Sequence, residues 1–170
     1  MKRTLLTVLV CLVAGSLFAQ KYAFVNSETV FKNAPGSAAA QDKITALQEQ
    51  YQKQMETEYA NLEALFQQYQ NEKGRLSSEQ RKVREQAILD REDDVKKMQE
   101  QYFGQEGLLA KKSEELFKPI QEKVQQAIQY VAKANGIGMV LDIASGMSIM
   151  YYDEQLDISD RVIETLRKMK

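Results

Sequence analysis

Ser37 to Lys73 reads SAAAQDKITALQEQYQKQMETEYANLEALFQQYQNEK, without one proline or glycine. Its larger apolar side chains fall at Ile44, Leu47, Tyr51, Met55, Tyr59, Leu62, Leu65 with Phe66, and Tyr69. Steps of three and four put these on one stripe of a helix. A helix of that extent is roughly 55 Å long at 1.5 Å per residue. Gly74 with Leu76, Ser77 and Ser78 interrupts it, and either serine can cap the next helix. The helical pattern resumes at Val83, Ala87, Ile88, Val95, Met98, Tyr102, Leu109, Leu116, Ile120, Val124, Ile128 and Val131. Asn135-Gly136 ends it with a left-handed cap. Gly104 and Gly107 weaken this second helix midway, and Pro119 should kink it. Two long amphipathic helices joined by a short turn predict an antiparallel hairpin. The near-heptad drift of the stripe predicts a loose coiled coil.

Outward from the hairpin, the pattern changes. Tyr22-Ala23-Phe24-Val25 reads as a short strand, about residues 22–26, followed by a short helix capped by Ser27 and stopped at Pro35-Gly36. Beyond Gly136, two more strands are expected at about 139–143 and 147–152, with a turn at Ala144-Ser145-Gly146. Asp157 is expected to cap a terminal helix carrying Ile158, Val162, Ile163 and Leu166. The expected organisation is therefore a signal peptide at 1–19, a body of 20–36 with 114–170, and a hairpin arm of 37–113 with its tip near 74–78. The fold class is α+β, predominantly α. A body of about 70 residues is near the limit for a self-supporting core, so oligomerisation through shared strands is expected.

Lys2 and Arg3 precede an apolar run from Thr4 to Ala14 that is too short to span a bilayer, and Ala19 offers a small residue at a cleavage site. Cys11 lies inside that run, with no small residues before it, which argues against a lipid anchor. Cleavage after Ala19 would leave 21 basic residues against 24 acidic ones, a net charge of −3, with neither cysteine nor histidine. That composition excludes Cys/His zinc sites, Ser-His-Asp triads, thiol nucleophiles and disulfides. No phosphate-binding glycine loop is present, nor any sign of nucleic-acid binding. The reading is of a non-enzyme with no catalytic, cofactor-binding or metal-binding residues.

The order strand, short helix, helical hairpin, two strands and terminal helix resembles the Skp/OmpH family of periplasmic chaperones over essentially the whole mature chain. Lys21-Tyr22-Ala23-Phe24-Val25-Asn26 with Val30-Phe31 carries the likeness, together with Ile120 to Asn135, Gly138 to Asp142, Ile149 to Asp153 and Leu156 to Val162-Ile163. The resemblance implies a jellyfish-like homotrimer, its strands forming a central barrel and its arms enclosing a cavity. It also implies an ATP-independent periplasmic holdase that keeps unfolded outer-membrane β-barrel proteins from aggregating. Well-known members are basic, whereas this mature chain is slightly acidic, and that bears on its client range.

Tyr51, Met55, Tyr59, Phe66, Tyr69, Met98, Tyr102 and Phe103 are candidate client-binding residues, because methionine and aromatic groups adapt to varied surfaces. The competing reading packs them in the helix–helix seam. Lys73, Arg75, Arg81, Lys82 and Arg84 oppose only Glu79 around the tip. They read as a solvated face or as a weak contact for clients or anionic lipid. Phe24, Val25, Val140, Leu141, Ile143, Ile149 and Tyr151 are candidates for the trimer body. The rival function is an envelope scaffolding protein with the same coiled coil and no client.

Overall fold

The computed structural model describes residues 21–146 and 148–169. The signal-peptide reading of residues 1–19 lies outside them. The chain forms β1 (Lys21–Val25), α1 (Ser27–Lys32), α2 (Ser37–Glu72), α3 (Ser78–Phe103), α4 (Leu108–Ala134), β2 (Ile137–Asp142) and α5 (Ser159–Lys168). Long helices and a two-stranded sheet make it predominantly α. Two compact units are present, one combining the chain up to Pro35 with Ile120 onward, the other spanning Gly36–Pro119.

In the first unit, β1 and β2 pair in parallel, with Tyr22 opposite Met139 and Val25 opposite Asp142. Ile158 N–H donates to the Phe24 carbonyl at 2.9 Å, so β1 is occupied along its other edge too. Ala23, Phe24 and Val25 are all buried, as expected of a parallel strand covered on both faces. β2 contains no fully buried residue. Ile120, Val124, Ala127 and Val131 are buried along one face of α4 at steps of four, three and four. Ile158, Val162, Ile163 and Leu166 complete this core.

Polar side chains fix where its elements begin. The α1 cap is Asn26, whose side chain accepts from Thr29 N–H at 2.9 Å, rather than Ser27 as the sequence suggested. Ser27 is diverted to Asp142, donating its hydroxyl at 2.6 Å and its N–H at 3.1 Å. Asp157 accepts from Ser159 N–H at 2.7 Å, but the cap position of α5 is Ile158. The helix thus starts one residue later than expected, with Asp157 just before its cap.

In the second unit, α2 and α3 run antiparallel, linked by a 3₁₀ turn at Lys73–Arg75. Tyr51 stacks on Tyr102 with ring centroids 4.3 Å apart, while Tyr69 near the turn bonds Glu85. The expected serine cap is Ser77, and it forms a full capping box with Gln80.

Two larger expectations also fail. Residues 148–152 form no strand; Met150 and Tyr151 are 93% and 86% exposed. Apolar groups at both parities give this segment no single face to bury, so it does not add to the free edge of β2. The helix after the tip is also not continuous: α3 ends at Phe103, and α4 begins at Leu108. A Cβ on Gly104 would lie 2.5 Å from the Glu100 carbonyl oxygen, and one on Gly107 would lie 2.9 Å from Gly104 backbone atoms. The corner closes only because both positions are glycine. Pro119 lies within α4, which continues on both sides of it.

Candidate functional site

Few apolar groups hold the hairpin together. Ile44, Met55 and Tyr69 of α2 and Ile88 and Val95 of α3 are buried, and Leu47, Leu62, Leu65 and Met98 are half-buried. Polar rungs supply the rest. Glu58 pairs with Arg91, the Tyr59 hydroxyl donates to Gln99 at 2.8 Å, and the Tyr69 hydroxyl donates to Glu85. That bond to a carboxylate, with burial adding to it, holds the Tyr69 phenol above its ordinary pKa.

The eight arm candidates accordingly divide. Met55 and Tyr69 are buried seam residues. Tyr51, Met98 and Tyr102 are half-buried, the two tyrosines committed to their stack. Tyr59, Phe66 and Phe103 are 48%, 41% and 40% exposed. Tyr59 and Phe66, seven residues apart, share one face of α2. Phe103 and the exposed Leu89, two heptads apart, share one face of α3. Tyr59 bonds Gln99, four residues before Phe103, so both faces lie on the same side of the hairpin. The side carries a row of apolar groups in water.

Leu89 was not singled out in the sequence, and Val83, assigned to the stripe, is 65% exposed on the other flank. The signal was available. Ile88, Val95 and Tyr102 repeat every seven residues, and Val83 lies five before Ile88, off that line.

Around the tip, three of the five basic groups are engaged. Lys73 sits over the Tyr69 ring at 5.5 Å, Arg81 donates to the Leu76 carbonyl at 3.2 Å, and Arg84 pairs with Glu72 at 3.7 Å. Arg75 and Lys82 form no ion pair among the described residues. Of the body candidates, Phe24 and Val25 are core. Val140, Leu141, Ile143 and Ile149 are half-buried, and Tyr151 is exposed. Tyr152 reaches the Phe24 ring, with centroids 5.0 Å apart. Among the described residues no helix is long and apolar enough to cross a membrane.

A long antiparallel helical hairpin, in a chain that also builds a small parallel sheet, defines the class: a predominantly α chain with a helical-hairpin unit and a compact α+β unit. The family model of OmpH-like outer membrane proteins matches residues 21–166, and this chain belongs to that family. An uncharacterized protein of Aquifex aeolicus (strain VF5) is 29% identical over 160 residues, covering 94% of each chain. The fold is similar to the crystal structure of a proposed outer membrane chaperone (OmpH-like) from Caulobacter crescentus CB15. The TM-score is 0.69 at 12% identity, covering 90% of this chain and 88% of the other.

Proposed function

We propose that this chain is an ATP-independent holding chaperone of the periplasm that binds unfolded outer-membrane β-barrel proteins and prevents their aggregation. The observation that carries this reading is the row of Tyr59, Phe66, Leu89 and Phe103, left in water on one side of a hairpin whose seam is already closed. Large side chains of this kind serve many weak, adaptable contacts, which suits a partner with no fixed shape. Family membership and the chaperone description of the Caulobacter protein support the same reading. No catalytic group is assigned.

The working form in this reading is a homotrimer. The support lies in the first unit, where β2 pairs along one edge only among the described residues, and Met139, Met150 and Tyr151 are exposed nearby in sequence. An open strand edge is a template for another chain, and residues 148–152 of a second copy form no strand within their own chain.

The test is suppression of aggregation of a denatured β-barrel protein at stoichiometric ratio. The wild-type chain should suppress it. Combined Phe66→Ser and Leu89→Ser should remove much of that effect while lowering the melting temperature little, because both side chains are exposed. Equal loss of both would return these residues to the core. Absence of suppression by the wild-type chain would leave the scaffolding reading in its place.

A further inference from the structure

A cleft of about 410 Å³ opens in the first unit at the ends where both strands begin. Tyr22, Ile137 and Leu156 give it apolar walls, while Lys21, Asn135 and Arg161 supply polar groups. Among the described residues no carboxylate lines it. Tyr22 is 52% exposed, an aromatic wall left facing water. Arg161 donates to the Asn135 side-chain oxygen at 3.3 Å, and this single bond uses one of its five N–H groups. Neither Arg161 nor Lys21 forms an ion pair among the described residues. The neighbouring acid that could have served, Asp157, is turned to Ser159 N–H instead.

Two cations without counter-charges therefore flank an apolar cleft. A volume of this order is that of small-molecule sites in general. The charge selects an anion, the planar fork of arginine matches a carboxylate, and the walls select an apolar stem. We infer that this cleft binds a small amphipathic carboxylate, its head on Arg161 and Lys21 and its stem against Tyr22, Ile137 and Leu156. The site uses none of the arm residues.

The experiment titrates the isotopically labelled full chain with octanoate, and in parallel with octanol, the neutral match of the same length. Octanoate should give saturable shifts at Tyr22, Ile137 and Leu156, with octanol at least about tenfold weaker. Arg161→Gln should weaken octanoate about tenfold and Lys21→Gln less, since lysine acts as a point charge without the fork. Lys21 is exposed, so its replacement tests the site even if the arginine variant folds poorly. Equal binding of octanol and octanoate, shifts confined to other residues, or an affinity unmoved by Lys21→Gln and Arg161→Gln would each overturn the assignment.

Discussion

Asp142 ends β2 and accepts three hydrogen bonds, from the Ser27 hydroxyl, Ser27 N–H and Ala144 N–H. It ties the second strand to the first turn of α1, an electropositive helix end that favours a carboxylate. Burial pushes this carboxyl up, but the Ser27 hydroxyl, the Ala144 N–H and the Ser27 N–H together outweigh it, so the net pKa is lowered. A depressed folded pKa contributes stability above the unfolded value, and that contribution is lost as pH falls through the folded one. Asp142→Asn should therefore cost about 1–2 kcal/mol at neutral pH. The gap from wild type should narrow below about pH 4. Thermal melts of both proteins from pH 7 to pH 3 check this; a gap that does not change with pH would mean the carboxylate charge plays no part. The sequence pattern places Asp142 in a strand but does not show it as this clamp. Residues 27 and 142 are far apart in the chain, and only the parallel pairing of β1 with β2 brings them together. The swap of caps from Ser27 to Asn26 has the same origin.

Within the elements, the glycine corner between α3 and α4 departs most from expectation. The sequence pattern held phase across it, because Tyr102 and Leu109 are seven residues apart, and so it read as one weakened helix. Periodicity is blind to a turn that conserves the phase. Gly107 N–H donates to the Gly104 carbonyl at 2.9 Å, and Lys111 N–H donates to the Gly107 carbonyl at 3.0 Å, so the corner is hydrogen-bonded and not frayed. Gly104→Ala would gain about 1 kcal/mol of helix propensity in an unbroken helix. Here the added methyl meets the Glu100 carbonyl, and the clash should dominate. The variant should be less stable by about 1–2 kcal/mol, an overpacking cost. A rise in melting temperature together with increased helicity by circular dichroism would show that the corner straightens readily. By contrast the tip was legible, since Gly74 and the serines are local signals that need no distant partner. The Ser77–Gln80 box was written there in four consecutive residues.

On the scale of the whole molecule, the first unit is small for its work. Its sheet has two strands, and one has an open edge among the described residues. Sharing that edge among copies would cover Met150 and Tyr151, whose exposure is costly in a single chain. Light scattering on the chain without residues 1–19, at micromolar concentration, should give three times the chain mass. Met150→Lys with Tyr151→Lys should shift it toward the monomer, while a monomeric wild type would end the trimer reading. What the sequence determined by itself were features set by local spacing. These were the long helices, the turn between α2 and α3, the stripe that joins them, the position of β1, and a composition without histidine. The tertiary structure decided which apolar residues on that stripe are covered and which, like Phe66 and Val83, stay in water. It also decided that β1 pairs in parallel with β2 and that 148–152 joins no strand among the described residues. A helix face is encoded in its own periodicity, but what covers it depends on packing between residues distant in sequence, and no local pattern carries that information.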